Sequence, residues 1–132
     1  MKKIGSVKED LTTEKRISIT PETVKKFTDL NFSIFLEKKY GEHLGITDDE
    51  YKNAGATLYG SAKEVLEKSQ IILKVNCPSN DEINSIKDKS ILIGQFDPLS
   101  DKERLNKLIK KNINIFSLNL LPRITRAQSM DV

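Results

Sequence analysis

Two apolar runs, Ile71-Ile72-Leu73-Lys74-Val75 and Ile91-Leu92-Ile93, are nearly continuous instead of alternating, and each is followed by a segment with helix-start chemistry. Strands covered by helices on both faces have this character, whereas a strand with one wet face alternates apolar and polar residues. The pattern predicts central, parallel-type strands over residues 70–75 and 90–94. Further strands are expected over residues 3–7, 32–36 and 112–116, with a weaker one over residues 57–59.

Helix starts recur between these runs with one chemistry. Thr47-x-x-Glu50, Ser61-x-x-Glu64, Ser79-x-x-Glu82 and Ser100-x-x-Glu103 all fit the capping box, in which hydroxyl and carboxylate reciprocally satisfy two free N–H groups. The first helix opens differently, with Thr20 as cap and Pro21 at its first position. Val24, Phe27 and Leu30 form its expected buried stripe, and Asn31 ends it. The last helix is expected to bury Leu105, Leu108 and Ile109 and to leave Lys102, Lys107, Lys110 and Lys111 solvated. Strand-helix alternation of this kind predicts an α/β, flavodoxin/Rossmann-like fold: an open, mostly parallel sheet with helices on both faces.

With 132 residues there is room for one domain, here residues 1–132. The balance of 22 Lys+Arg against 19 Asp+Glu gives only +3, and the lysines are scattered among acids, which argues against nucleic acid as a partner. No signal peptide is evident, and nowhere do ~18 apolar residues follow one another, so the chain itself is expected to be soluble. The single cysteine, Cys77, excludes an internal disulfide, fits a reducing cytoplasm, and reads as a small half-buried residue before Pro78. No internal repeat occurs, and neither G-x-G-x-x-G in a strand-to-helix turn nor G-x-x-x-x-G-K-[ST] is present, so the glycine-rich fingerprint of a complete dinucleotide site is missing.

The densest chemistry lies at the end, Leu121-Pro122-Arg123-Ile124-Thr125-Arg126-Ala127-Gln128-Ser129-Met130-Asp131-Val132. A rigid arginine fork, an amide and a carboxylate in so short a stretch suit a polar ligand. The stretch is expected to continue into something further.

Residues 14–24, Glu14-Lys15-Arg16-Ile17-Ser18-Ile19-Thr20-Pro21-Glu22-Thr23-Val24, are similar to the E-x-R-V-A-x-T-P-E-x-V opening of the alanine dehydrogenase and nicotinamide nucleotide transhydrogenase N-terminal domain family. Ile72-Leu73-Lys74-Val75 followed by Pro78 resembles that family's L-x-K-V-x-x-P strand end. Pro122 to Asp131 resembles the P-R-x-x-R-A-Q-x-M-D segment of the transhydrogenase branch, and the spacing of the three agrees over essentially the whole chain. The serine pair that usually follows M-D-x-L is not contained in it.

The resemblance implies one N-terminal lobe of the alpha subunit of a proton-translocating NAD(P) transhydrogenase, which passes hydride between NAD(H) and NADP(H). It implies NAD(H) in a site completed by a second, glycine-rich lobe absent from this chain, and NADP(H) on a partner domain. The implied partners are the rest of the alpha subunit, the NADP-binding domain and a membrane proton channel, in a homodimer of alpha subunits. The implied location is the cytoplasmic side of a membrane, held there through partner subunits, and the isolated lobe is expected to be inactive. Arg123, Gln128 and Asp131 carry over as nicotinamide-side cofactor-binding residues, with the role of Arg126 open. No metal site and no catalytic acid or base is assigned.

In the amino-acid dehydrogenases of the family, the residues matching Arg16 and Lys74 hold the substrate, and a histidine beyond the next strand is the acid/base. Here that neighbourhood reads Gly94-Gln95-Phe96-Asp97-Pro98, and the only histidine, His43, lies in the 41–45 loop, where a surface position is expected. Arg16 and Lys74 are therefore expected to pack the lobe or line its cleft. Two alternatives stay open at this point: an alanine or other amino-acid dehydrogenase-like lobe, and a stand-alone flavodoxin-like binding module without catalysis.

Overall fold

In the computed structural model, which describes residues 2–118, each apolar run becomes a strand. The six strands among the described residues are β1 (Lys2–Ser6), β2 (Phe32–Glu37), β3 (Thr57–Tyr59), β4 (Ile71–Leu73), β5 (Ile91–Gly94) and β6 (Asn114–Ser117). All pair in parallel, in the order β3-β2-β1-β4-β5-β6. The order reverses between β1 and β4. In an open α/β sheet that is where a crevice opens beyond the carboxyl ends of the strands.

The crossovers are α1 (Pro21–Asp29), α2 (Asp48–Ala54), α3 (Ala62–Lys68), α4 (Asn80–Ser85) and α5 (Lys102–Lys110). They divide between two cores. Val65, Leu66, Ile83 and Leu108 of α3, α4 and α5 pack with Ile72, Leu92 and Phe96 on one face. Val24 and Tyr51 of α1 and α2 pack with Ile4, Ile34, Leu36 and Tyr40 on the other. Within β4 the alternation is visible residue by residue, with Ile72 in the first core and Ile71 and Leu73 against the second. Gly5 lets β1 meet α3, since a Cβ there would collide with the Ser69 hydroxyl.

Two of the four expected capping boxes form completely. Glu50 and Glu82 reach back to the Thr47 and Ser79 amides at 2.7 and 2.8 Å while their own amides donate the reciprocal bonds to the cap hydroxyls. At Ser61 only the hydroxyl half is made, to the Glu64 amide at 3.3 Å. At Ser100 the expectation fails: α5 begins one residue later, after Asp101, without a side-chain cap. Pro98 and an Asp97-centred turn intervene, with Asp97 accepting from Leu99 and Asp101 accepting from the Asp97 amide, so local side-chain bonds replace the helical turn. The α1 start is as expected, Thr20 accepting from Thr23 with Pro21 first, and Asn31 follows the helix at φ 69°.

Four burial expectations are corrected. Leu30 is 67% exposed because α1 ends before it and the chain turns away, leaving Val24 and Phe27 as the packed pair. Ile109 is 61% exposed, on the outer side of α5, while Leu105 and Leu108 face the core. Lys111 is not simply solvated: its ammonium donates to the carbonyls of Ile83, Asn84 and Ile86 at the end of α4, a cation placed against a helix C-terminus. Finally, Ile91 and Ile93 are only half-buried and Phe116 is 58% exposed, because the second core contains no residue of β5 or β6.

Candidate functional site at the carboxyl rim of the sheet

Where β1 and β4 part, the loops after them enclose a crevice of about 690 Å³. Its centre is an ion cluster. The Glu9 side chain is 2% exposed and accepts the amides of Val75 at 2.9 Å and Asn76 at 3.1 Å, tying the loop after β1 to the turn after β4. Lys74, 4% exposed, places its ammonium 3.3 Å from Glu9, 3.7 Å from Glu82 and 3.5 Å from the Lys8 carbonyl. An ammonium has three donors. Two carboxylates and one carbonyl face it here, so Lys74 ties the cleft wall together.

Arg16 is far more exposed, its side chain at 63%, and makes three side-chain bonds. Its Nε and Nη2 donate to the two Glu14 oxygens at 2.8 and 2.9 Å, and its Nη1 donates to Gln95 Oε1 at 3.3 Å, bridging to the turn after β5. The guanidinium bonds, followed by the Arg16 amide, hold the Glu14 carboxyl down to about 2, and Glu14 in turn raises the Arg16 pKa. Beneath Arg16 and Gln95 lies a smaller hollow of about 300 Å³ with Leu73, Ile93 and Leu118 in its wall.

Tyr40 anchors the segment that delivers Arg16. Its buried hydroxyl accepts the amides of Ser18 and Ile19 at 3.1 and 3.3 Å and sits 2.8 Å from Ser6 Oγ. Since Ser6 spends its proton on the Leu73 carbonyl at 2.6 Å, Tyr40 is the donor between the two. Burial raises the Tyr40 pKa, so this donor keeps its proton.

Arg16 and Lys74 thus line the cleft as expected. Sequence reasoning gives no role to their neighbours Glu9 and Glu14: Glu14 enters only as the first residue of the matched opening motif, and Glu9 is one more acid in a charged loop. The burial of their carboxylates, together with the backbone amides they accept, is what distinguishes them. His43 is partly exposed, bonded to the Lys15 carbonyl at 2.8 Å and remote from any base role. Cys77 is buried in the crevice wall, with burial pushing its thiol up to about 11. Arg123, Arg126, Gln128 and Asp131 lie outside the described residues.

The described residues do not form a cradle for a dinucleotide pyrophosphate. The loop after β1 is long, not a tight glycine turn, and the crevice carries the carboxylates of Glu9, Asp10, Glu37, Glu82, Asp97 and Asp101 against the cations of Lys8, Lys74 and Arg104. Gly5 and Gly94 are consumed by internal packing. Among the described residues there is no cluster of His, Cys, Asp and Glu able to hold a metal ion, and no helix long and apolar enough to cross a membrane.

The family described as alanine dehydrogenase/PNT, N-terminal domain, matches residues 5–132. An NAD(P) transhydrogenase subunit alpha polypeptide of Rhodospirillum rubrum is 36% identical over 98% of this chain and 35% of its own length. The alanine dehydrogenase of Methanococcus maripaludis is 34% identical over 83% of this chain and 30% of its own. Among solved structures, the transhydrogenase of Sinorhizobium meliloti superposes with a TM-score of 0.87 at 35% identity, over 98% of this chain and 39% of that one. The chain therefore spans about a third of the length of these relatives. With the family model matching residues 5–132 and relatives of 34–36% identity over most of the chain, this chain belongs to the alanine dehydrogenase/PNT N-terminal domain family.

Proposed function

We propose that this chain supplies the lobe that positions the nicotinamide of NAD(H) in a proton-translocating NAD(P) transhydrogenase. A second lobe of the alpha subunit holds the pyrophosphate, a partner domain holds NADP(H), and a membrane component carries the proton. The observation that carries this reading is the closing segment from Pro122 to Asp131, whose match is to the transhydrogenase branch, together with the transhydrogenase names of the relatives.

The rim supports it chemically. When bound, the two nicotinamides supply the hydride donor and acceptor, and hydride passes with its electron pair from the C4 carbon of one ring to that of the other. Neither ring gains or loses a proton. The protein's task is therefore to hold its groups rigidly and keep water out, and no side chain need shuttle a proton. Arg123 offers a planar fork of donors to the carboxamide, Gln128 a donor and an acceptor, and Asp131 an acceptor for ribose or amide. The described rim fits a positioning role: Lys74 is ion-paired with Glu9 and Glu82, Arg16 is bonded to Glu14 and Gln95, and Gln95 has no titrating proton. The alanine dehydrogenase-like reading is disfavoured because Gln95 stands in the neighbourhood where that branch would carry its histidine acid/base, and no histidine lines either hollow among the described residues.

The test is single-turnover hydride transfer in the complete subunit assembled with its partners. Arg123→Ala and Asp131→Asn are expected to slow transfer at least about tenfold while NADH affinity changes by no more than about threefold. Unchanged transfer rates in both variants would overturn the roles given to them.

A further inference from the structure

Gln95, in the wall of the smaller hollow, is held at both ends. Its backbone amide donates to the Val75 carbonyl at 2.9 Å, which pins it to the end of β4, and its side-chain Oε1 accepts from Arg16 Nη1 at 3.3 Å. A guanidinium carries donors alone, so the oxygen of the Gln95 amide is the atom that faces Arg16. The nitrogen is left over, and among the described residues nothing accepts its two N–H groups. Arg16 is itself gripped by Glu14 at 2.8 and 2.9 Å, and the Tyr40 hydroxyl holds the following segment through the Ser18 and Ile19 amides. Gln95 is thus a neutral donor fixed before any ligand arrives, which lowers the ordering cost of binding one.

The hollow has the size and lining of a site for a single ring. Its volume of about 300 Å³ is at the small end for ligand sites, and Ile17, Leu73, Val75, Ile93 and Leu118 give it apolar walls. Leu73 and Ile93 pair in the β4–β5 ladder and form a step of sheet surface. Ile93 stays half-buried there, because the second core takes no residue of β5. A flat ring can lie against such a step.

Charge narrows the ligand class. The Arg16 guanidinium is bonded through two nitrogens to the Glu14 carboxylate, and the Lys74 ammonium stands 3.3 Å from Glu9 and 3.7 Å from Glu82. Three carboxylates offset two cations, so a carboxylate or phosphate finds no net positive charge. A neutral planar amide on a ring suits the site better: the ring meets the apolar wall, and the amide oxygen meets the free Gln95 donors.

We propose that this hollow holds the carboxamide edge of a nicotinamide ring, with Gln95 Nε2 donating to the carboxamide oxygen and selecting for that group. This rests on the function proposed above and deepens it. NAD(H) and NADP(H) carry the same carboxamide, and the experiment tells the two sources apart.

The experiment uses the complete subunit containing this chain, assembled with its partners. It compares wild type with Gln95→Met, which keeps the length without a donor, and Gln95→Glu, which keeps an oxygen for Arg16 and replaces the N–H groups by a second oxygen. kcat/KM for hydride transfer is measured with NAD+ and its thioamide analogue as acceptors from NADPH, and with NADP+ and its thioamide analogue as acceptors from NADH. Sulfur accepts a hydrogen bond more weakly than oxygen, so a donor aimed at the carbonyl favours the carboxamide form. The intrinsic difference in reactivity between the two forms cancels when each variant's carboxamide-to-thioamide ratio is divided by that of wild type.

In both variants that ratio is expected to fall about 3- to 10-fold in one nucleotide pair, the effect of one neutral hydrogen bond. A fall in the NAD+ pair assigns the hollow to the ring of NAD(H), and a fall in the NADP+ pair assigns it to the ring of NADP(H). A merely structural glutamine would slow carboxamide and thioamide equally, so ratios unchanged in both pairs overturn the proposal whatever the absolute rates. A fall in Gln95→Met with a wild-type ratio in Gln95→Glu also overturns it, since the lost Arg16 bond would then be the cause. If the methionine variant does not assemble, the glutamate variant decides by the same ratios. A wild-type assembly that transfers no hydride between the nucleotides overturns the functional reading and this inference with it, whereas an active wild type with unchanged ratios in the variants removes this inference alone.

Discussion

Replacing Lys74 by methionine keeps the unbranched stem and removes the charge, which isolates what the ammonium does. Glu9 would be left with its side chain 2% exposed, still accepting the Val75 and Asn76 amides but without the cation that stands 3.3 Å away. Breaking a buried ion pair from one side costs about 3–5 kcal/mol, because an uncompensated charge remains. The two backbone donors retained by Glu9 place this case at the lower end, about 3 kcal/mol. For a domain of this size that corresponds to a fall in Tm of about 10 °C. Urea unfolding at neutral pH of wild type, Lys74→Met, Glu9→Gln and the double variant gives the cycle. The double variant should cost less than the sum of the singles by at least about 1.5 kcal/mol, since it removes both charges together. A Lys74→Met cost under about 1 kcal/mol, or a coupling within about 0.5 kcal/mol of zero, would refute the reasoning that this pair locks the cleft wall.

Two further outcomes follow from the rim. With its thiol pushed up to about 11 by burial, Cys77 should alkylate at pH 8 at least about 100-fold more slowly than a free cysteine, and reach the free rate in denaturant; fast labelling of the folded chain would show that the crevice wall is open there. Because the folded-state pKa of Glu14 lies near 2, below its ordinary value of 4.5, its contribution to stability is present above pH 4.5 and is lost as pH falls toward 2. Carboxyl NMR titration should place its midpoint near 2 in wild type. In Arg16→Ala the midpoint should move toward the ordinary glutamate range, flattening the acid limb of the stability curve; an ordinary midpoint in wild type would contradict the fork seen at 2.8 and 2.9 Å.

Much of the scaffold is legible in the chain. The runs at 71–75 and 91–93 become the parallel β4 and β5, and Thr20-Pro21, Thr47-x-x-Glu50 and Ser79-x-x-Glu82 start helices as their chemistry dictates, because caps and strand runs are local physics. Legibility fails where neighbours decide. Ser100-x-x-Glu103 has the same spacing as the true boxes, yet Asp97 and Asp101 close a competing turn first. Leu30 and Ile109 are apolar at helical spacing and still lie outside, since a helix stripe is set by where the sheet sits and not by periodicity alone.

The candidate site divides the same way. Sequence alone was enough to single out Arg123, Gln128 and Asp131 as candidates through the family resemblance, to match Arg16 and Lys74 to family positions, and to note Gln95 where a histidine base would otherwise stand, because motif matches need only residue identity and spacing. It also determined the alternation that makes a parallel sheet. Only the tertiary structure decided that Lys74 pairs with Glu9 and Glu82, that Arg16 is bonded to Glu14 and Gln95, and that Ser117 ties β6 to Phe96. The physical reason is that each of these depends on loops far apart in the chain, or on a residue across the sheet, meeting at one rim. Charge and hydrogen-bonding capacity are written locally in the chain; whether a group spends that capacity on the protein or keeps it for a ligand is settled by what the fold brings within about 3 Å.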